Sequence, residues 1–182
     1  SVVIPVFNVG ESIKDFLKQI PEYVDQIYLI DDCCPLKTGK IAEERKSDFK
    51  KVSIFYNNKN LGVGGAVKVG YQESLKNNID IIVKIDGDNQ MNPNEINKLV
   101  EPLLNGEYGY GKGNRFLMKG EIENYPKVKF YGNIFLSFMS KLSSGYWDIF
   151  DPINGYTAIT KECLQKLNLD KIDNGYFFES DM

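Results

Sequence analysis

Apolar and polar positions along the chain fall into short alternating blocks. Val2 to Val6, Gln26 to Ile30, Val52 to Tyr56 and Ile79 to Ile85 are apolar or β-branched runs of strand length. Between them, Glu11 to Ile20, Thr38 to Phe49 and Val63 to Leu75 space their apolar residues at helical intervals. This alternation predicts an α/β domain with a mostly parallel central sheet. The strand runs are close to wholly apolar, as strands are when helices cover both faces of a sheet. After Pro93 a further helix is predicted to run to Leu104, with the proline in its first turn, where a missing N–H is tolerated. Tyr108 to Phe116 reads as a Gly-rich strand and loop. No internal repeat, low-complexity tract or linker interrupts the pattern, so residues 1–182 are expected to form one domain.

From Pro126 to Ser144, Phe130, Ile134, Phe138 and Leu142 recur at helical spacing, with Tyr131, Phe135 and Met139 widening the stripe. The uncharged part, Phe130 to Ser140, is shorter than the roughly 18 residues that a membrane span needs. Two readings stand: a helix packed on the core, or an interfacial helix touching lipid, with Lys127, Lys129 and Lys141 beside its aromatics.

Composition narrows the chemistry. A chain of 182 residues with 42% hydrophobic and 26% charged residues can bury a core of ordinary size. A net charge of −3, without a basic run or a zinc-finger or RNA-stacking motif, excludes a nucleic-acid partner. Histidine is absent. That removes Ser-His and Cys-His nucleophile pairs and most zinc sites, leaving acid–base work to Asp, Glu, Lys, Tyr or Cys and metal binding to oxygen ligands. Three cysteines, two of them adjacent (Cys33 and Cys34), do not make a disulfide framework and point to a reducing, cytoplasmic compartment. The chain has no initiator Met, opens inside the apolar run SVVIPVF and stops at FFESDM, which reads as a domain trimmed at both ends.

In open parallel sheets, ligands bind at the carboxyl ends of the strands. Asn8 follows the first strand, Asp31–Asp32 the second and Asp86–Gly87–Asp88 the fourth. An acidic pair at a strand end can be a turn former or a helix cap; two in one small sheet would meet in a crevice that a cation stabilises. In KIDGDNQMNP, Asp86, Asp88 and Gln90 alternate, so an extended segment would point all three the same way. Three oxygen donors on one arc suit Mg²⁺ or Mn²⁺, with water and diphosphate oxygens completing the shell. An EF-hand is excluded, because its twelfth position is Asn97. The run NNKNLGVGGAVKVG, from Asn57 to Gly70, is neither a dinucleotide fingerprint nor a Walker A loop. It is either a glycine turn before a helix or a loop lying flat against a nucleotide, with Asn60 and Gly62 at the contact.

Taken together, VVIPVFN, IDD, KNLGVGGAVKVG, DGDNQ, GNRF, YPKVKFYGN, DPINGYTAI and FFESD, in that order, resemble glycosyltransferase family 2, and especially its dolichyl-phosphate mannose synthase branch. The resemblance implies a GT-A (Rossmann-like) three-layer domain and an inverting glycosyltransferase using a UDP- or GDP-sugar. The nucleoside would be held by Asp32, with Pro5 and Asn8 shaping the pocket. Asp86 would lie near the diphosphate, and Asp88 and Gln90 would ligate the metal. Arg115 matches an arginine that contacts acceptor phosphate, assisted by Lys127 or Lys129. One departure is visible: the family commonly has DDGS where this chain has DDCC, which bears on the local turn; both thiols read as half-buried small residues.

The acceptor decides whether a base is needed. A sugar hydroxyl must lose its proton, which would fall to Asp151, Glu179 or Asp181. A lipid phosphate, with a second pKa of about 6, is already anionic at neutral pH and needs a cation rather than a base. Arg115 offers a guanidinium fork suited to it. Polyprenyl phosphate is therefore preferred over a cell-surface saccharide, and the work would lie at the cytoplasmic face of a membrane, in polysaccharide biosynthesis. Two rivals are a sugar-phosphate nucleotidyltransferase, which would carry a basic Gly-rich loop where this chain has VFNVGES, and a non-catalytic nucleotide-sugar binding module, which would have lost the metal carboxylates. As a pocket residue, Asp32 is expected to tolerate replacement by alanine with little change in thermal stability.

Overall fold

Side chains of two neighbouring strands alternate between two cores, and this sets the architecture. In a computed structural model of the chain, residues 1–45, 49, 51–114, 132, 142, 145, 151, 154–175 and 177–182 are described. Strand β1 (Val2–Val6) sends Val2, Ile4 and Val6 to one face and Val3 to the other, and β2 (Ile27–Asp31) sends Ile27 and Leu29 one way, Tyr28 and Ile30 the other. Both strands are buried along their whole length, so helices must cover both faces.

The first face carries α1 (Ile13–Gln19), α2 (Thr38–Glu43) and α4 (Ile96–Leu104), packed through Ile13, Phe16, Leu17, Ala42, Ile96 and Leu103. The second carries α3 (Gly62–Lys76), α5 (Lys161–Lys166) and α6 (Phe178–Asp181), packed through Ala66, Val67, Tyr71, Leu164 and Phe178. The sheet between them runs in the order β3-β2-β1-β4-β6-β5, adding β3 (Val52–Tyr56), β4 (Ile81–Lys84), β5 (Tyr110–Lys112) and β6 (Thr157–Thr160). Strands β1 to β4 are parallel; β6 runs antiparallel to both β4 and β5. This is the three-layer α/β sandwich that the strand and helix spacing predicts.

Several boundaries differ locally. The first helix begins two residues late, after a 3-10 turn at Gly10–Ser12. The fourth begins with a 3-10 turn at Pro93–Glu95, where the Asn92 side chain accepts from the Asn94 N–H. The β6–α5 pair has no counterpart among the elements read from the sequence, because TAIT is too short to show a period. The helix expected over 126–144 lies outside the described residues apart from Gly132 and Leu142, both helical. Among the described residues no helix is long and apolar enough to cross a membrane.

Candidate active site

Strand order fixes where a ligand can enter. The chain leaves β1 towards β2 on one side and reaches β4 on the other, so a crevice opens between the carboxyl ends of β1 and β4. A cleft of about 390 Å³ lies there, walled by Pro5, Phe7 and Val9, by Asp32, by Asn60, Gly62 and Val63 at the start of α3, by Asp86 to Asp88, and by Gly175.

Asp31 and Asp32 follow one another at the end of β2 and therefore point to opposite faces. Asp31 accepts from the N–H groups of Cys34 and Gly39, both at 2.7 Å, and ties down the entry to α2. Asp32 accepts from Asn57 Nδ2 at 2.8 Å, from the Leu61 N–H at 2.9 and 3.1 Å, and from the Gly62 N–H at 2.9 Å. It is 3% exposed. The anion at the N-terminus of α3 is thus Asp32 itself, which satisfies orphan helical donors. A buried carboxylate with three donors argues against the expectation that Asp32→Ala is nearly neutral, and predicts a loss of stability instead. In the turn after β2, Cys33 holds φ at +57°, in the left-handed region that glycine adopts most readily. Cys33 is exposed, whereas Cys34 is buried, its Sγ against the Asn8 N–H and Thr38 Oγ1. Burial pushes the Cys34 thiol up, but bonds from the Thr38 hydroxyl and from the Thr38, Asn8 and Leu36 backbone together leave it below its ordinary value. Asn8, expected to shape the pocket, is exposed at φ +60° and stands outside the cleft lining.

The segment from Asp86 to Gln90 is not extended. Gly87 and Asp88 form a turn, Asn89 takes φ +64°, and the Gln90 N–H donates to Asp88 Oδ1 at 3.0 Å. Asp86 and Asp88 consequently line the cleft, while Gln90 is exposed beyond its wall. Ile82, Lys84 and Asp86 share the second face of the sheet by period two, and there Lys84 ends up wholly buried. Its Nζ stands 2.7 Å from Asp86 Oδ1 and 2.9 Å from Glu179 Oε1. Burial alone would lower the Lys84 pKa, yet the two carboxylates hold it above the ordinary lysine value. Gly155 makes room for the pair, since a Cβ there would stand 2.7 Å from Asp86 Oδ2 and closer still to Lys84 Nζ. Beside it, Lys112 Nζ donates to the Glu179 carbonyl; burial lowers the Lys112 pKa to about 8, against the attraction of Glu179 and Asp151. Sequence reasoning missed both lysines. A lone charge inside IIVKI, a strand otherwise wholly apolar, was the available signal, because such a charge has to be paired.

The glycines of the 57–70 run have a packing role as well as a place on the cleft. Gly62 lies at φ +82°, and a Cβ on Gly62 or Gly64 would stand 2.5 Å from the carbonyl of Asn174 or Asp173. The Gly65 N–H donates to the Asn174 carbonyl, and Lys68 Nζ to the Ile172 carbonyl and Asn174 Oδ1. The start of α3 thereby docks the segment that leads to α6 and carries Glu179 to Lys84. Asn60 lines the cleft, its Oδ1 accepting from the Gly62 N–H at 2.9 Å. Of the three carboxylates considered as a base, Glu179 is ion-paired with Lys84, Asp151 is 2% exposed, and Asp181 Oδ2 accepts from the Asp173 N–H at 2.9 Å. Arg115, Lys127 and Lys129 lie outside the described residues.

Residues 1–167 match the family model described as glycosyl transferase family 2. A UDP-N-acetylglucosamine–dolichyl-phosphate N-acetylglucosaminyltransferase of Methanococcus voltae is 31% identical over 92% of this chain and 71% of its own length. A dolichol-phosphate mannosyltransferase of Pyrococcus furiosus is 30% identical over 94% of this chain and 49% of its own. A polyprenol monophosphomannose synthase of Mycolicibacterium smegmatis is 26% identical over 100% and 69%. Among solved structures, a mannosyltransferase from Pyrobaculum calidifontis in complex with GDP-Man and Mn²⁺ superposes with a TM-score of 0.65 at 16% identity, over 97% of this chain. The chain spans about half the length of that structure, 49%.

Proposed function

The chain belongs to glycosyl transferase family 2, and on that premise we propose that it transfers a sugar, with inversion, from a UDP- or GDP-sugar to a polyprenyl phosphate. The observation that carries the donor half is the cleft at the switch point, where Asp32's loop and the Asp86–Asp88 turn form facing walls. Asp32 serves the nucleoside by fixing residues 57–62, while Pro5, Phe7 and Val9 supply an apolar wall. Asp86 and Asp88 are all-oxygen donors at the edge of the same cleft and fit a hard divalent cation of the Mg²⁺ or Mn²⁺ kind. Among the described residues no three Cys, His or carboxylate groups gather into a metal set, so diphosphate and water oxygens would complete the shell, and Gln90 would join it only by turning inward from beyond the cleft wall. When bound, that cation stabilises the charge that develops on the departing nucleoside diphosphate.

The acceptor half rests on what the carboxylates are doing. A hydroxyl acceptor calls for a carboxylate standing free beside it, and Glu179 is instead committed to the ion pair with Lys84. Asp151 is buried and Asp181 is bound to backbone. A phosphate monoester arrives anionic and needs only orientation, which we assign to Arg115 with Lys127 or Lys129. The membrane-facing position and lipid acceptor follow from the same assignment. Steady-state kinetics on Arg115→Ala and Glu179→Gln discriminate the acceptors. Arg115→Ala should raise the acceptor KM with nucleotide binding unchanged, and Glu179→Gln should cost far less. An amide change that abolishes transfer while Arg115→Ala is nearly silent would establish a hydroxyl acceptor instead.

A further inference from the structure

Lys84 has no place in the chemistry derived so far, yet it is a fully buried cation clamped between two carboxylates. Taking an ammonium out of water costs several kcal/mol unless paired partners offset it. The pairing is not incidental: Gly155 leaves the space for it, and α3 docks the segment that delivers Glu179. One of Asp86's two oxygens is thereby occupied by a cation that belongs to the protein. A divalent ion approaching the Asp86–Asp88 turn has to compete with Lys84 for Asp86, and it meets no preassembled set of three acidic ligands among the described residues.

Resting on the metal-dependent reading above, we propose that Lys84 is the resident counter-cation of Asp86. It keeps the free enzyme's affinity for bare divalent metal low, so that metal is captured together with the donor diphosphate. The diphosphate brings its own negative charge and oxygen ligands, which tip the competition that metal alone loses. Lys84 acts through Asp86 and is a positioning residue; it touches neither donor nor acceptor.

Binding of Mn²⁺ alone, followed by the EPR signal of the free ion, tests this in the full chain. Lys84→Met risks misfolding, because it leaves Asp86 and Glu179 facing each other without a cation. The pair Lys84→Met/Glu179→Gln avoids that, and it also keeps the local formal charge at −1, so that a gain in affinity reports release of Asp86 rather than a change in net charge. An opposite charge within reach of a carboxylate alters its affinity for a competing cation by about tenfold or more. The double variant, folded by circular dichroism, should therefore bind Mn²⁺ alone at least about tenfold more tightly than wild type. Its preference for Mn²⁺ in the presence of UDP or GDP over Mn²⁺ alone should shrink correspondingly. A folded double variant with unchanged or weaker affinity for Mn²⁺ alone overturns the assignment. If wild type instead bound neither Mn²⁺–UDP nor Mn²⁺–GDP, the donor reading would fall, whatever the variants did.

Discussion

Replacing Asp32 by alanine tests the link between fold and cleft. Its carboxylate accepts from Asn57 Nδ2, the Leu61 N–H and the Gly62 N–H, all within 3.1 Å, and is 3% exposed. A hydrogen bond to a charged group contributes about 1.5–3 kcal/mol, so three donors set an upper range near 9. The cleft is open on one side, and water entering the vacated space would satisfy part of what is lost. That reduces the net destabilisation to about 3–5 kcal/mol. For a domain of this size each kcal/mol lowers Tm by about 2–4 °C, which gives a fall of about 6–20 °C. Asp32→Asn keeps one acceptor oxygen but turns an NH₂ towards backbone donors, and should lose about half as much. Thermal unfolding monitored by circular dichroism measures both, and calorimetry with UDP and GDP should show weaker binding in each. A Tm within about 2 °C of wild type for Asp32→Ala would refute the claim that this carboxylate holds the 57–62 loop.

Asp88→Ala, whose side chain is exposed and among the described residues engages the nearby Gln90 N–H, should leave Tm unchanged while lowering Mn²⁺-dependent transfer by about 100-fold or more; full activity in EDTA would contradict it. Lys112 titrates lower in the fold, about 8, than its ordinary 10.5. Across that window the unfolded chain holds the extra proton, so the penalty of burying the ammonium, complete below about pH 8, is relieved as pH rises. The stability difference between wild type and Lys112→Met should thus move in wild type's favour from pH 8 towards 10.5 in urea titrations, and a constant difference would rule this out. Cys33→Gly, at φ +57°, should stabilise the chain by about 1 kcal/mol, because the left-handed region strains a side chain with a Cβ; a lower Tm would count against it.

How much could be read from the sequence depended on whether a property is periodic or contact-based. The apolar run at Val2–Val6 coincides with β1, because complete burial writes itself into consecutive residues, and Val52–Tyr56 coincides with β3 although only Val52 is buried there. Asp32, Asp86 and Asp88 could be placed on one cleft because strand ends converge in a parallel sheet. The Asp86–Gln90 alternation misled, since a turn at Gly87–Asp88 breaks the strand geometry that alternation assumes. The partnership of Lys84 with Glu179 was out of reach for a different reason. It joins residues 95 positions apart, brought together only when α3 docks the C-terminal segment. The glycines of the 57–70 run likewise looked like ligand-facing residues, and only the approach of Asp173 and Asn174 reveals that they also make room for backbone.

The most direct test of the central claim is transfer of label from UDP- and GDP-sugars to polyprenyl phosphate, measured as lipid-extractable counts with Mn²⁺ and again with EDTA. The account predicts that at least one donor yields labelled lipid, with stoichiometric release of nucleoside diphosphate, and that EDTA abolishes both. Folded protein that releases no nucleoside diphosphate from any donor, or that transfers equally well in EDTA, would contradict it.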